Sequence, residues 1–391
     1  MTAIETVRRY VTEDVEARLF RPTGEAVGLP GSLYTDPAFF GVERELTFGR
    51  SWVCAGIVDD LPNPGDLVPI DIAGIPILLA RAADGTIRAF HNICRHRGVK
   101  LVSEPTRRNL VVCPYHAWSY TLDGKLLKTP NYCGPDAHTH DGFDAADRGL
   151  LPIRCELWHR LIFINLDAAA PSLMEDLTPL LRRWSAYDFS RLRHGGSLRF
   201  ELKANWKLVI ENFVERYHLP FVHPLLNSVS SVKHTLHIVD SDRFVGVGSR
   251  NFDPPPVTPD HQLPTFPGLT AEQLKKAEYV ELFPNVMLGC HYNHFYAFIL
   301  QPVGVDRTIE RFEFFFIGDE AMTPELAPAR KQMVDLVDLV NGEDIDIVQR
   351  LHEGCASPAM AGCVFSPVME DTTHQFQKMV VGHMLAAARA A

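Results

Sequence analysis

Two cysteines and two histidines, Cys94 with His96 and Cys113 with His116, constrain this chain of 391 residues more tightly than any other feature. Thiolates and imidazoles together bind zinc or an iron–sulfur cluster, and either would draw the two segments into neighbouring loops. Zinc fingers segregate their ligands, cysteines in one pair and histidines in the other. Here each segment carries one of each, as Cys-x-His and Cys-x2-His, with sixteen residues between His96 and Cys113. That distribution suits a two-iron cluster in which one iron takes both thiolates and the other both imidazoles. Imidazoles in place of thiolates lower the negative charge of the cluster and raise its reduction potential. The alternative, packing cysteines beside structural histidines, leaves the mixed pairing in both segments without a cause.

A second stretch, residues 211–224, reads ENFVERYHLPFVHP and places Glu211, Glu215, His218 and His223 within thirteen residues. A helix over 205–219 sets Glu211, Glu215 and His218 at i, i+4 and i+7 on one face. Pro220 removes a backbone donor and disfavours helix at Leu219, so His223 lies past a break. Its imidazole can turn back toward His218, and two imidazoles beside a carboxylate suggest iron or zinc. The plainer alternative is an amphipathic helix with ordinary hydrogen-bonded histidines. A two-histidine iron site needs a carboxylate from elsewhere, and residues 341–346 are the best source. On a helix from about 324 to 351, Met333, Val337, Val340, Asp344, Val348 and Leu351 form one stripe. Asp344 then faces inward, where an unpaired carboxylate is unfavourable and a metal resolves it. Asp346, about 200° further round, is the second choice. A solvated acidic patch is the alternative without metal.

Composition and pattern supply the setting. With 46% hydrophobic and 22% charged residues the chain is globular, and its length suits two or three domains. A net charge of -10 argues against nucleic acid or an anionic membrane as partner, while allowing a basic redox partner. The charged N-terminus and the lack of a long apolar run, with eight scattered cysteines, lead us to expect a cytoplasmic protein without disulfides or membrane spans. Residues 1–48 read as a helical segment, with Asp36 as N-cap and Pro37 opening a helix over 36–50. Residues 49–167 read as an all-β domain, with runs at 67–70, 75–80, 87–91, 110–113 and 161–166. Asp84-Gly85 and Asp123-Gly124 serve as its hairpin turns. Residues 168–391 open on a helix over 171–193. Strands at 197–203, 236–247, 278–290, 293–303 and 308–318 then form one antiparallel sheet around helices 205–219 and 324–351. The 308–318 run alternates and then turns apolar, as a strand passing from edge to core does. Residues 253–267, with six prolines, read as a loop placed to cover the site.

The segments CRHRG (94–98) and CPYHAWSYTLDGKL (113–126) resemble Rieske cluster loops. NWKLVIENFVERYHLPFVHP (205–224) resembles the mononuclear iron motif of Rieske non-heme iron oxygenases, in the large (alpha) subunit of the terminal component. The resemblance implies an α+β fold: an N-terminal all-β Rieske [2Fe-2S] domain and a C-terminal helix-grip (START/Bet v1-like) catalytic domain with a curved antiparallel sheet, on which the N-terminal segment packs. It implies that Cys94, His96, Cys113 and His116 hold the cluster. His218, His223 and Asp344 are then ligands of a mononuclear Fe(II), with Asp346 as runner-up, because EDIDIVQRLHEGCASP (343–358) resembles the segment carrying the third ligand. Glu215 stands where the family carries a carboxylate that bonds a Rieske histidine of a neighbouring subunit and links the two centres across a homotrimer interface. Most members have aspartate there, and glutamate points to quaternary ammonium substrates such as carnitine, glycine betaine and stachydrine.

The function implied is a terminal oxygenase that uses O2 for N-demethylation or hydroxylation of a quaternary ammonium compound. Hydroxylation or dihydroxylation of an aromatic ring is the alternative. No GxGxxG occurs in a strand–turn–helix setting, so electrons are expected from a separate NAD(P)H-dependent reductase, directly or through a ferredoxin. A Rieske electron-transfer protein would leave the last two hundred residues without a role, and a zinc-dependent structural or binding protein is the remaining class. Phe252, Phe266, Tyr279, Phe283, Tyr292, Phe295 and Tyr296 are candidates for a cation–π cage or an apolar pocket. Glu211 has no assigned role, and the other six cysteines are expected to pack.

Overall fold

The computed structural model describes residues 2–140, 142–239, 241–252 and 262–390. The chain divides into two compact units, Cys54–Ala170 and Met1–Val53 with Pro171–Ala391. Most of the proline-rich stretch at 253–267, expected as a covering loop, lies outside the described residues. Among the described residues no helix is long and apolar enough to cross a membrane.

The first unit is built from β1 (Val53–Ile57), β2 (Asp66–Ile72), β3 (Ile75–Arg81), β4 (Ile87–His91), β5 (Thr106–Arg107), β6 (Val111–Val112), β7 (Ser119–Tyr120), β8 (Leu126–Lys128), β9 (Pro152–Trp158) and β10 (Leu161–Asn165). They form a seven-stranded sheet in the order β1-β10-β9-β4-β3-β2-β5 and a three-stranded sheet β6-β7-β8. Gly85 and Gly124 take φ of +81° and +89°, the left-handed backbone that a tight turn needs and a side chain resists. The run at 110–113 pairs over only two residues, because the loop carrying Cys113 begins at once.

The second unit opens with α1 (Ala3–Arg8), α2 (Glu13–Leu19), α3 (Ser32–Thr35) and α4 (Pro37–Glu43), the last capped by the Asp36 carboxylate, which accepts the Ala38 N–H at 2.7 Å. After α5 (Leu173–Arg183) come β11 (Leu192–Leu202), α6 (Trp206–Phe213), α7 (Leu219–Val222), α8 (Pro224–Val229), β12 (Thr235–Ile238), β13 (Phe244–Ser249), β14 (Ala277–Leu282), β15 (Val286–Cys290), β16 (His294–Gly304), β17 (Arg307–Ile317), α9 (Ala327–Cys355) and α10 (Asp371–Ala390). The seven strands make one antiparallel sheet in the order β11-β17-β16-β15-β14-β13-β12.

Several expectations are corrected. The run at 278–290 is a hairpin, because the chain turns at 283–285, where Pro284 cannot donate to a ladder. The run at 236–247 divides into β12 and β13 around the polar residues 241–243. β17 lies between β11 and β16 along its whole length and does not pass from edge to core. Its polar residues Arg311 and Glu313 sit on the outer face, where Glu313 meets His194 and Ser197 of β11 at 2.6 and 2.7 Å. The 171–193 helix stops at Arg183, and the α6 helix ends at Phe213, well before His218. Leu351 is 48% exposed and leaves the apolar stripe of α9. The C-terminal helix α10 was not expected, because buried polar residues interrupt its apolar stripe. Gln377 accepts the Leu29 N–H at 2.8 Å and donates to Tyr34 at 3.0 Å, and the His374 ring meets Leu19 O at 2.6 Å. These bonds fasten the N-terminal helices to the rest of the second unit.

A buried ion pair fastens them further. Lys207 Nζ lies 2.5 Å from Glu43 Oε1, both fully buried, with the rings of Tyr34, Phe39 and Trp206 between 5.2 and 5.5 Å from the ammonium. Removing one partner of such a pair strands the other charge. Lys207→Met is therefore expected to lower stability by about 3–5 kcal/mol, and Glu43→Leu in the same chain to recover most of that loss. Chemical denaturation of the single and double variants checks both.

Candidate metal centres

The two cysteine–histidine segments fold into matching loops of the first unit. Cys94 N–H bonds Val99 O at 2.8 Å and Gly98 N–H bonds Cys94 O at 2.9 Å; Cys113 N–H bonds Trp118 O at 2.8 Å and Ala117 N–H bonds Cys113 O at 3.1 Å. The fifth residue of each loop takes a left-handed backbone, Gly98 at φ +73° and Ala117 at φ +56°. Ala117 holds a conformation unfavourable for a side chain, as functional loops often do. Both thiols are buried in the apolar core of the unit, with Leu78, Phe90, Trp118 and Tyr120. The Tyr120 hydroxyl lies 3.2 Å from Cys94 Sγ and accepts the Arg95 N–H at 3.0 Å. The His96 and His116 rings stand 4.8 Å apart toward the surface, and His96 stacks on Trp118 at 4.9 Å. Burial, followed by the neighbours His116 and Arg97, pushes the His96 pKa down, which favours the neutral imidazole that binds metal. Thiols inside and imidazoles outside form a donor set that fits a Rieske-type [2Fe-2S] cluster.

The second site begins at Asn205, whose side chain caps α6 by accepting the Lys207 N–H at 3.1 Å. The helix ends where the Glu215 carboxylate takes the backbone N–H groups of Tyr217 and His218, the latter at 3.2 Å. Glu211, Glu215 and His218 therefore do not share a helix face. Glu211 turns away to accept the Tyr34 hydroxyl at 2.7 Å, and burial pushes its pKa up to about 7. Pro220 and Pro224 sit in the first turns of α7 and α8, and His223 lies between them in a non-helical conformation. His218, His223 and Asp344 converge, with one ligand atom from each within 4.8 Å of the others. Asp344 Oδ1 is 2.8 Å from His223 Nε2 and 3.7 Å from His218 Nε2. Asp346 points outward to Arg350 at 2.9 Å, with its side chain 63% exposed.

Three residues that the sequence had not singled out complete the geometry. Glu343 bonds His223 Nδ1 at 2.6 Å, as Glu215 bonds His218 Nδ1, so each imidazole is held from behind by a carboxylate with its Nε2 aimed at Asp344. A carboxylate on Nδ1 fixes the tautomer and ring orientation that a metal ligand requires. Asn212 donates to Asp344 Oδ1 at 2.9 Å. The third, Glu310, lines the adjoining cavity. None of the three had a distinguishing signal in the sequence, because only the sheet register shows that Glu310 shares a face with Phe312 and Phe314. The two histidines and one carboxylate fit Fe(II) with positions left open.

The cavity of about 440 Å³ reaches Asp344 and is lined by α6, α9 and one face of the sheet. Phe252, Tyr279 and Tyr296 line it, with Phe213, Phe298 and Phe312. Gly289 lies under the Tyr296 ring, where a Cβ would come within 2.2 Å of it. Phe266, Phe283, Tyr292 and Phe295 are not lining residues. Strand alternation sends Phe295 to the outer face against Trp184 and Phe189, Phe266 packs on Tyr187, and Phe283 stacks on His383. His291 and His294, stacked at 4.2 Å, also line the cavity. Burial lowers both pKa values, that of His294 to about 4, so both are neutral.

With this geometry in view, the family is plain. A Rieske [2Fe-2S] domain matches residues 51–135 and the catalytic domain of the ring-hydroxylating alpha subunit matches residues 189–386. The chain belongs to the ring-hydroxylating alpha subunits that carry a Rieske domain. Among curated relatives, the glycine betaine monooxygenase oxygenase subunit of Pseudomonas aeruginosa is 36% identical over 211 residues, 54% of this chain and 48% of the relative. The match thus spans about half the length of that protein. The carnitine monooxygenase oxygenase subunit of Escherichia coli is 28% identical over 349 residues, 86% of this chain and 87% of the relative. The quaternary ammonium Rieske monooxygenase CntA in complex with L-carnitine superposes with a TM-score of 0.76 at 24% identity, over 94% of this chain and 98% of the other. Naphthalene 1,2-dioxygenase with bound indole gives 0.74 at 20%, over 93% and 94%. The α+β architecture is therefore that of the Rieske oxygenases, and the fold alone does not separate amine from aromatic substrates.

Because Glu343 holds His223 while Asp346 faces solvent, Glu343→Ala is expected to weaken iron binding at the three-residue site by about 10–100-fold. Asp346→Ala should leave it unchanged. Competition of iron against a chelator, read separately from cluster absorbance, checks the contrast.

Proposed function

We propose that this chain is the oxygenase subunit of a multicomponent Rieske monooxygenase that oxidises a carbon attached to the nitrogen of a quaternary ammonium compound. The observation that carries it is the convergence of His218, His223 and Asp344, with Asp344 lining an aromatic-walled cavity, in a chain that also holds the cluster loops. Glycine betaine and carnitine monooxygenase subunits among its relatives, and Glu215 in place of aspartate, favour the quaternary amine over an aromatic ring. Cys94, His96, Cys113 and His116 would hold the [2Fe-2S] cluster, and His218, His223 and Asp344 the mononuclear iron. The first accepts and passes single electrons, and the second offers open positions to O2. For N-demethylation, one oxygen atom enters the N-methyl C–H bond and the other leaves as water, with two electrons and two protons supplied. The N-hydroxymethyl product then breaks its C–N bond to give formaldehyde, a tertiary amine and a proton.

The chain's own residues prepare this chemistry. Glu215 and Glu343 accept from Nδ1 of His218 and His223 and hold both Nε2 lone pairs inward. Asn212 steadies Asp344, and the apolar lining excludes water. The electrons come from a separate NAD(P)H-dependent reductase, directly or through a ferredoxin, in the cytoplasm. Glu215 serves as the bridge from the iron site to a cluster histidine of a second copy in a homotrimer. Exposed aromatic residues beside each centre support such docking between copies: Phe221, 77% exposed, near Glu215, and Tyr115, 55% exposed, near His116. A repeated head-to-tail contact of this kind closes into a ring.

Oxygen uptake with a reductase and a panel of betaines, choline and aromatic acids tests the proposal. Stimulation by a quaternary amine, with release of formaldehyde and abolition in His218→Ala, is expected. Stimulation by aromatic acids alone would establish ring oxidation instead, and normal product formation by His218→Ala would remove these histidines from the site.

A further inference from the structure

Along β17, Thr308, Glu310, Phe312 and Phe314 share the inward face, and Glu310 alone places a carboxylate there. Glu310 is 1% exposed, lines the cavity and accepts one hydrogen bond, from Asn341 Nδ2 at 2.8 Å. Among the described residues no cationic side chain pairs with it. Two other buried carboxylates of this sheet are matched, Glu278 by Arg183 at 2.8 Å and Lys276 at 2.5 Å, and Glu313 by His194 at 2.6 Å; Glu281, also buried and without a partner among the described residues, does not line the cavity. Burial pushes the Glu310 pKa up to about 8, the response of a carboxyl group that meets too little positive charge.

We infer that Glu310 is the specificity-determining residue that receives the positive charge of the substrate, a quaternary ammonium group seated in the cavity. This rests on the proposed oxidation of such a compound and goes further by naming the atoms that hold it. A buried carboxylate without a cation is unfavourable, and a ligand that brings the charge relieves it. The surrounding rings suit the same ligand: Phe298 and Phe312 stack at 3.7 Å beside Glu310 on the sheet face, and an aromatic face attracts an ammonium group.

The position also suits the proposed oxidation at a carbon attached to nitrogen. Asn341, the partner of Glu310, lies three residues before Asp344 on α9, a rise of about 4.5 Å along the helix. An ammonium held by Glu310 therefore presents its N-methyl and N-methylene carbons to the iron ligands. Of the other carboxylates and imidazoles of the lining, Asp335 pairs with Lys331 at 2.6 Å and Asp344 belongs to the proposed iron site, and His291 and His294 do not compete for this role. They are neutral, and His294 stands six residues along β16 from Leu300, the register partner of Glu310, a separation of about 20 Å.

Anaerobic calorimetric titration of the holoenzyme, where no turnover occurs, tests the assignment with glycine betaine, L-carnitine, γ-butyrobetaine and choline. The tightest of these is then compared with its neutral isostere, in which a tert-butyl group replaces trimethylammonium. Glu310→Gln, close in shape, is expected to weaken the cation by about tenfold or more and to leave the isostere within about twofold. Glu310→Asp should retain part of the preference, and thermal unfolding of both variants verifies their folding. Unchanged cation affinity in Glu310→Gln, or equal weakening of cation and isostere, overturns the role of Glu310 alone. If the wild type binds none of the four cations but does bind aromatic acids, the substrate class falls with it.

Discussion

Everything at the proposed iron site depends on two imidazoles meeting one carboxylate while each is gripped from behind by another. His218 and His223 come from the broken chain after α6, and Asp344 from the middle of a helix of 29 residues, α9. Glu215 and Glu343 hold the far ring nitrogens, and Asn212 holds the near carboxylate oxygen. A metal ligand must be oriented before the metal arrives, because an imidazole free to rotate dilutes the binding geometry. The ending of α6 at Phe213 belongs to this requirement. A helix continued through His218 would carry Glu215 and His218 on a rigid face and remove the turn in which Glu215 bonds back to His218.

The sheet supplies the second half of the design through strand alternation. On β17 the outward residues Arg311 and Glu313 join an ionic lattice with β11, while the inward ones, Glu310, Phe312 and Phe314, face the cavity side. The same period sends Tyr296 inward and Phe295 outward on β16. Gly289 on the neighbouring strand leaves room for the Tyr296 ring to lie flat across it. The cavity is thus a product of register as much as of composition: a shift by one residue would exchange its aromatic wall for the ionic lattice.

Much of this was visible in the chain. Cysteine and histidine are scarce, and chemistry limits what they do together, so the mixed pairs at 94–96 and 113–116 pointed to a cluster before any fold was known. The period of α9 placed Asp344 inward and Asp346 outward. The places where expectation and structure part share one cause. The end of α6, the turn at 283–285 and the whole of α10 are governed by particular side-chain and backbone bonds, or by one proline, and not by apolar period. Gln377 reads as an ordinary polar residue until Leu29 and Tyr34 stand beside it. The aromatic candidates divided into lining and packing residues for the same reason: several of equal character stand within a few positions, and register alone sorts them.

The sequence by itself determined which chemistry the chain can hold, because ligand identity and spacing are local properties. It also determined the class of fold, because the Rieske loops and the histidine motif occur in the order and surroundings of one family. Only the tertiary structure decided which carboxylate serves each imidazole and which aromatic rings line the cavity. Only there does Glu310 emerge as a buried carboxylate on the cavity wall, bonded by Asn341. Apart from Glu215 with His218, those are contacts between residues far apart in the chain, such as His223 with Asp344, 121 positions away. They form when the helices and the sheet pack against each other, and no local period encodes them.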